Sequence, residues 1–440
     1  MRQRRLVLLS MSGVRIQDAE LLSLGLTLPG FVERGKIIAS LPSLGLLTLG
    51  AYTPPHWFVE YIDFDAGGEG GLVQGIVAGT PDVVAISSLT ARVRDAYRIA
   101  DQLRSSGITV LFGGLHASVL PLEVQLHADA VIVGEGETVW PQVLEDFEAN
   151  CLQKIYRAPA LREFAPDAPV PRYDLLDQSK YNRLTIQTTR GCPLDCSFCG
   201  ASRLISRYKR KPHAAIRREL EAVTGIWPRP FVELADDNTF VHKKWSVETV
   251  RLMGEFGVKW FTETDVSVAD DEELLDSLAE SGCAQLLIGM EATSAEELGE
   301  TDSHGWKRKR LHQYKAAIEK IQSRGISVNG CFVMGFDHAG PEVFERTASF
   351  VKESGLTEVQ VTILTPFPGT ALFERLRREV RLIDPTNWGS CTLFDVNYVP
   401  ARMSVSDLRQ GFRWLVSELY SESESAKRKS MFRSLVRQRY

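Results

Sequence analysis

The stretch Thr188-Thr-Arg-Gly-Cys-Pro-Leu-Asp-Cys-Ser-Phe-Cys-Gly200 decides the fold and the chemistry of this chain, because it brings three cysteines into eight residues. Cys192, Cys196 and Cys199 follow shortly after the apolar run Leu184–Thr189. Three thiolates on one loop can hold a single iron–sulfur cluster, but they cannot supply the fourth ligand that such clusters usually take. One iron would therefore stay open to a chelating ligand, as catalytic metals do.

Zinc is the alternative occupant of these thiolates, with His213 as a distant fourth ligand. Zinc sites favour paired C-x2–4-C units, and this run has no second pair. The other four of the seven cysteines are scattered, and scattered buried cysteines usually act as small apolar core residues. They are Cys151, Cys283, Cys331 and Cys391.

Residues 181–380 alternate between apolar runs and helical patterns. Six β/α units can be counted, where a closed barrel of this type has eight. The pattern therefore predicts a partial, open-sided (β/α)6 barrel of the TIM type, and something must cover its open side. The predicted strands are Leu184–Thr189, Phe231–Ala235, Lys259–Thr264, Gln285–Met290, Val328–Met334 and Glu358–Leu364.

Residues 1–150 show the same alternation, which predicts an α/β domain with an open, doubly wound parallel sheet. Loops at the carboxyl ends of such strands bind ligands, so a nucleotide-like or corrinoid site is expected there. The proline-rich residues 151–180 show no clear period and are interpreted as a linker. The predicted strands are Leu6–Ser10, Trp57–Asp63, Val83–Ser87, Thr109–Gly113 and Ala130–Val133.

Residues 381–440 are predicted to form a helical extension, with an amphipathic helix near Ser404–Tyr420. The tail from Ala426 carries six cations and no acid. We interpret it as a solvated or frayed end, with contact to an acidic partner or a membrane surface as the alternative. Two further basic runs, at 207–211 and 307–310, are interpreted as solvated faces.

The overall composition is that of an ordinary globular protein, with 44% hydrophobic residues and a formal net charge of −5. This balance disfavours a nucleic-acid-binding protein that relies on bulk positive charge. No apolar run approaches the roughly 18 residues of a membrane span, and the run Leu6–Ser10 is too short for a signal peptide. The sequence predicts a cytoplasmic protein without an integral membrane segment.

The spacing Cys192-x3-Cys196-x2-Cys199, with Phe198 before the last cysteine, resembles the signature of the radical S-adenosylmethionine (SAM) superfamily. The resemblance implies a [4Fe–4S] cluster whose open iron chelates SAM, and SAM cleavage to a 5′-deoxyadenosyl radical. By the same resemblance Phe198 approaches the adenine, and strand ends supply further SAM contacts. Those contacts are Asp236, Asp237, Glu263, Gly289 and Glu291. Their carboxylates have capping of the next helix as an alternative role.

Small residues after the third, fourth and fifth strands of the first domain resemble those of Rossmann-like, cobalamin-binding domains. The stretches are Ser87-Ser-Leu89, Gly113-Gly114 and Gly134-Glu-Gly-Glu137. The family's D-x-H-x-x-G motif is absent, so no protein histidine is expected to coordinate cobalt. Glycine turns at strand ends are the plain structural alternative. The implied cobalamin contacts are Ser87, Leu89, Gly113, Gly114, His116, Gly134, Glu135, Gly136 and Glu137.

Both halves together resemble cobalamin-dependent radical SAM enzymes, which implies three cofactors: a [4Fe–4S] cluster, SAM and cobalamin. The implied activity is methyl transfer to an unactivated carbon. A cobalamin-dependent oxidoreductase or cyclase without methyl transfer is one alternative, and a non-catalytic corrinoid or redox sensor is another. The expected partners are a small-molecule, lipid or peptide substrate and an electron donor such as flavodoxin or ferredoxin, with no nucleic acid. No catalytic residue is assigned beyond the cluster ligands.

Overall fold

The structure, a computed structural model, describes residues 3–11, 13, 16–24, 41–65 and 68–437. The described strands form two six-stranded sheets and one two-stranded ribbon. Neighbouring strands within each large sheet run parallel. The predicted α/β class is confirmed.

The first sheet has its strands in the spatial order second, first, third, fourth, fifth, sixth. The strands are β1 (Arg4–Met11), β2 (Trp57–Asp63), β3 (Val83–Ser88), β4 (Thr109–Gly113), β5 (Ala130–Val133) and β6 (Ile155–Arg157). The helices around it are α1 (Ala19–Ser23), α2 (Leu44–Tyr52), α3 (Glu69–Ala78), α4 (Val93–Ser105), α5 (Leu115–Val119), α6 (Pro121–Val124) and α7 (Trp140–Glu148).

Both faces of this sheet are buried, which makes it doubly wound. Leu6 and Leu8 of β1 belong to the core that includes residues of α2 and α7. Val7 and Leu9 belong to the core formed with α3 and α4 on the other face. Burial on both sides explains why β1 is a continuous apolar run rather than an alternating one.

The second sheet forms the partial barrel, in the order β14-β13-β12-β11-β10-β7, while β8 and β9 form an antiparallel ribbon beside it. The strands are β7 (Leu184–Ile186), β8 (Thr189–Arg190), β9 (Lys209–Arg210), β10 (Phe231–Leu234), β11 (Lys259–Thr264), β12 (Cys283–Glu291), β13 (Ser327–Met334) and β14 (Glu358–Ile363). The helices are α8 (His213–Ile226), α9 (Lys243–Glu255), α10 (Glu272–Glu280), α11 (Ala295–Leu298), α12 (Trp306–Arg310), α13 (Tyr314–Gln322), α14 (Val343–Glu353), α15 (Ala371–Arg378), α16 (Val405–Leu419) and α17 (Glu422–Arg437).

The barrel is open between its edge strands β7 and β14, as the count of six units predicts. The C-terminal helices cover the β14 edge. Tyr420, which follows α16, donates its hydroxyl hydrogen to the carbonyl oxygen of Val359 at 2.8 Å and accepts from the amide of Val361 at 3.4 Å. These bonds use backbone groups of β14 that would otherwise lack a neighbouring strand.

The structure adds one strand and corrects one expectation. Ile155–Arg157, within the predicted linker, extends the first sheet through pairing with β5. The basic tail is not a frayed end, since α17 reaches Arg437 and packs against β14. Arg428 is 4% exposed and donates to the carbonyl oxygen of Leu419 at 2.7 Å. The last three residues of that tail lie outside the described part of the chain. No helix within the described ranges has the length and apolar character needed to cross a membrane.

Candidate active site

The cysteine loop leaves the β8–β9 ribbon at Gly191, where the backbone has a φ of +77°. A Cβ at this position would lie 2.8 Å from the carbonyl carbon of Arg207 and 2.9 Å from the amide nitrogen of Tyr208. Only glycine fits such a close approach in the left-handed region. Gly191 therefore directs the chain into the loop that carries Cys192, Cys196 and Cys199.

The three cysteine thiols are half-buried. Burial raises the pKa of Cys196 to about 12 and that of Cys199 to about 11, and it also raises the pKa of Cys192. The thiols therefore carry their protons at neutral pH until a metal displaces them.

The zinc alternative does not fit this geometry. Within the described residues, no three His, Cys, Asp or Glu side chains converge on a point that one metal ion would occupy. His213 stacks on Trp245 with ring centroids 5.4 Å apart and lies 3.0 Å from the Thr249 hydroxyl. A [4Fe–4S] cluster takes its thiolates on separate irons, so its sulfur ligands do not need to converge on one point.

Asp236, predicted to contact SAM, hydrogen-bonds to Thr188 and Thr189, which precede the cysteine loop. Its carboxylate accepts hydrogen bonds from the amides of Thr188 at 2.7 Å and Thr189 at 2.9 Å. The hydroxyls of Thr188 and Thr239 donate to its other oxygen, the latter at 3.0 Å. Asp236 is 3% exposed, and these donors occupy both oxygens. Asp236 therefore holds the strand that leads to the cysteines.

Asp237 and Glu263 stand at the ends of β10 and β11, on the cysteine side of the barrel. Negative charge on Asp237 contributes to the raised pKa values of Cys192 and Cys199. The Glu263 side chain is accessible to solvent, although protein surrounds it. Desolvation by the surrounding protein, followed by repulsion from neighbouring acids including Asp237, raises the pKa of Glu263 to about 8.

Glu291 is the last residue of β12 and has a φ of +66°, which is an uncommon backbone conformation for a residue other than glycine. Its Oε1 lies 2.5 Å from Nζ of Lys307, which also donates to the carbonyl oxygen of Gly289 at 2.8 Å. A Cβ on Gly289 would lie 2.5 Å from the Glu291 oxygen. The absence of a side chain on Gly289 therefore makes room for this ion pair. The sequence had predicted that Gly289 contacts SAM.

Lys307 is 5% exposed, so the prediction that its basic run is a solvated face was wrong for this residue. Burial opposes its charge, but the Glu291 carboxylate raises the pKa of Lys307 above its ordinary value. The ammonium charge also partly offsets the effect of burial on the pKa of Cys196.

Phe198 lies on the cysteine loop, directly before Cys199. Its ring packs edge-on against that of Phe336, with ring centroids 5.8 Å apart.

A second part of the site is a cavity of about 650 Å³ at the carboxyl ends of β3, β4 and β5. Its lining includes Ser87, Gly113 and the loop Gly134–Glu137, with apolar walls from α2 and α7. Gly114 has a φ of +97°, and a Cβ there would lie 3.0 Å from the Ser87 hydroxyl. These small residues leave backbone, rather than side chains, facing the cavity.

Three families match consecutive parts of the chain. They are described as Radical SAM superfamily over residues 186–351, B12 binding domain over 34–144, and Domain of unknown function (DUF4070) over 370–439. An uncharacterized methyltransferase of Synechocystis is 30% identical over 399 residues, with 86% of this chain and 71% of the relative covered. The chain belongs to the cobalamin-binding radical SAM family. Its cofactors are accordingly a [4Fe–4S] cluster, SAM and cobalamin.

Another relative of this radical SAM protein is the bacteriochlorophyllide d C-12(1)-methyltransferase of Chlorobaculum tepidum, 29% identical over 355 residues. The alignment covers 79% of this chain and 76% of the relative. The fold is that of the radical SAM methyltransferase TsrM from Kitasatospora setae, solved with cobalamin and a [4Fe–4S] cluster bound. The TM-score is 0.71 at 14% identity, with 99% of each chain covered.

Two residues predicted to contact cobalamin lie away from the cavity lining of this radical SAM protein. Leu89 is 45% exposed and does not line the cavity. His116 is 1% exposed, lies 3.3 Å from the hydroxyls of Tyr97 and Thr90, and packs edge-on against Trp388 at 5.5 Å. The structure thus gives His116 a packing role at the contact between the first domain and the C-terminal extension.

The cavity also contains residues that sequence reasoning missed. The range taken as a linker contributes Leu161 and Phe164, and the barrel contributes Arg190, Lys209 and Lys211. For Arg190, the only local indication of a role at the site was its position two residues before Cys192. The lysines belonged to a run interpreted as solvated, yet both are less than 7% exposed.

Proposed function

We propose that this radical SAM protein is a cobalamin-dependent methyltransferase that acts on an unactivated carbon. A shared wall carries the proposal: the cavity at the ends of β3 to β5 is also lined by Gln187 and Arg190, which lead into the cysteine loop. A corrinoid in this cavity would therefore lie beside the cluster. The two relatives described above are named methyltransferases, which supports methyl transfer over other radical reactions.

Cys192, Cys196 and Cys199 would hold the cluster in this proposal. When bound, the three cofactors supply reductive cleavage of SAM and a transferable methyl group. The chain itself binds the cofactors, orients them and keeps water out.

Carboxylates at the barrel mouth would accept hydrogen bonds from the ammonium group and ribose hydroxyls of SAM. Asp237 and Glu291 would act in this way, Glu263 would do so once its carboxyl group has lost its proton, and Phe198 would flank the adenine. Ser87, Gly113 and Gly114, with the backbone of the loop Gly134–Glu137, would form the cobalamin contacts, because Arg190 and Lys209 hold the Glu137 and Glu135 side chains.

The partners we propose are a small-molecule, lipid or peptide substrate and an electron donor such as flavodoxin or ferredoxin. SAM cleavage of this kind consumes one electron, which must come from outside the chain. We also propose a cytoplasmic location. All seven cysteines are free thiols in the structure, which is usual in a reducing compartment.

The test is a half-reaction that needs no substrate. The protein is reconstituted anaerobically with iron, sulfide and hydroxocobalamin, reduced with titanium(III) citrate and mixed with SAM labelled in its methyl group. We expect S-adenosylhomocysteine to form while the label stays with the protein-bound corrinoid. The matched control is Cys196→Ser, which should lose formation of 5′-deoxyadenosine. Formation of 5′-deoxyadenosine without any label on the corrinoid would contradict methyl transfer and favour the oxidoreductase or cyclase alternative.

A further inference from the structure

Two loops from different domains meet in a buried group of ion pairs. Nη1 of Arg190 lies 2.5 Å from Oε1 of Glu137 and 3.5 Å from Oε2 of Glu135. Nζ of Lys209 donates to Glu135. We call these four residues the clamp. Arg190 and Lys209 come from the β8–β9 ribbon, whereas both acids come from the loop after β5.

The clamp is shielded from solvent. The side chains of Lys209 and Glu135 are each 2% exposed, and those of Arg190 and Glu137 are 16% and 19% exposed. The ring of Phe164 covers the cations, at 5.0 Å from the Arg190 guanidinium and 4.9 Å from the Lys209 ammonium group. Buried charges of this kind hold their geometry because removing one partner leaves the other uncompensated.

Both halves of the clamp are joined to cofactor loops by very short stretches of chain. Arg190 stands two residues before Cys192 and pairs with Lys209 across the ribbon. Nε of Arg190 donates to Oε1 of Gln187 at 3.0 Å, which fixes the plane of the guanidinium. On the other side, Glu135 and Glu137 alternate with Gly134 and Gly136 in the cavity wall. A shift in the clamp would therefore move one loop relative to the other.

We propose that the clamp is a positioning device that sets the distance and relative orientation of the cobalamin and the [4Fe–4S] cluster. This inference rests on the proposed use of cobalamin at the cavity. Reactions between two bound groups depend steeply on their placement, and a misplacement of about 1 Å can cost about 10²-fold in rate. Arg190, Lys209, Glu135 and Glu137 are therefore positioning residues rather than catalytic ones.

A second buried ion pair provides a matched control. Arg183 and Glu233 form an ion pair with side chains 3% and 16% exposed, and neither residue lines the cavity. The Arg183 guanidinium also lies over an aromatic ring, that of Phe261 at 6.0 Å. Both residues of this pair belong to the barrel half of the chain. The pair thus resembles the clamp in burial and charge but does not join the two cofactor loops.

The experiment compares full-length reconstituted proteins: wild type, Arg190→Gln, Arg190→Lys, the swap Arg190→Glu with Glu137→Arg, and the control Arg183→Gln with Glu233→Gln. Iron and cobalamin contents and the Tm are measured for each. The decisive readout is the electron paramagnetic resonance of bound cobalt(II) corrinoid, whose spin relaxation is enhanced by the nearby reduced cluster. This enhancement depends on distance and is insensitive to a general loss of stability.

We expect Arg190→Gln to keep both cofactors and lose much of the relaxation enhancement. Arg190→Lys should lose less, the swap should recover part of it, and the control pair should keep the wild-type value at a lowered Tm. Wild-type enhancement in Arg190→Gln, or an equal loss in the control, would overturn the clamp alone. Release of cobalamin from Arg190→Gln would also overturn it, since that indicates binding rather than positioning. A wild-type protein that retains no cobalamin would overturn the proposed function together with the clamp.

Discussion

Lys307 and Glu291 form an ion pair of 2.5 Å directly above Gly289, and Glu291 holds a left-handed backbone conformation to make it. Residues kept in such conformations are concentrated at functional sites, where surrounding structure stabilises them. The buried ammonium group also acts on Cys196, which links this pair to the cysteine loop. If Glu291 contacts SAM as proposed, we expect Lys307 to hold its carboxylate in position.

Lys307→Met tests this relationship. The change leaves Glu291 without its partner in a buried place, so we expect the free energy of unfolding to fall by about 3–5 kcal/mol. SAM affinity of the reconstituted protein, measured by equilibrium dialysis, should fall as well. Lys309→Met, on the exposed side of the same helix, should change neither quantity. Unaltered SAM affinity in Lys307→Met would show that the pair is only structural.

Gly191→Ala tests how tightly the cysteine loop is held. The added Cβ meets the backbone of Arg207 and Tyr208, so the loop must shift and the iron content after reconstitution should fall. Gly257→Ala is the matched control, because Gly257 also has a positive φ but has no atom within 4 Å of the added Cβ. The control should show only the strain of about 1–2 kcal/mol that left-handed residues carry. Equal iron contents in the two variants would refute a specific role for Gly191.

The raised pKa of Glu263 predicts that the stability of the cofactor-free protein depends on pH. Its pKa of about 8 in the folded chain exceeds the ordinary carboxyl value of 4.5, so the folded state binds a proton that the unfolded state releases. Stability should therefore decline as the pH rises between those two values and stay level above the upper one. Glu263→Gln removes this decline, and its Tm advantage over wild type should grow across the window. A Tm difference that is constant with pH would contradict the raised pKa.

His116 and Gly114 should behave oppositely on substitution. His116→Gln loses the contact with Trp388 and lowers the Tm, but it should leave the absorption spectrum and affinity of bound cobalamin unchanged. Gly114→Ala places a Cβ 3.0 Å from the Ser87 hydroxyl at a positive φ, and it should weaken cobalamin binding. Spectrophotometric titration with hydroxocobalamin distinguishes the two. A changed corrinoid spectrum in His116→Gln would place that imidazole at the corrin after all.

Strands with clear apolar patterns were predicted with their observed bounds, as for Trp57–Asp63 and Lys259–Thr264. β6 was missed because three residues show no periodicity, and its pairing with β5 holds it in place. The cysteine spacing indicated a cluster because all three ligands lie on one loop.

Contacts between side chains that are far apart in the sequence could not be predicted from local patterns. Glu135 and Lys209 are separated by 74 positions, so their contact could not be predicted from either neighbourhood. For Asp236 the position at a strand end was right, but the sequence does not reveal which way a carboxylate turns. The amides of Thr188 and Thr189 decide that direction in the fold.

The metal content of the full chain tests both cofactor assignments, when it is measured after anaerobic reconstitution with iron, sulfide and hydroxocobalamin and removal of unbound material. A cobalamin-dependent radical SAM enzyme should retain about four irons and one cobalt per chain. Four irons without cobalt would contradict the assignment of the first domain, and a chain that retains no iron would contradict the assignment of Cys192, Cys196 and Cys199.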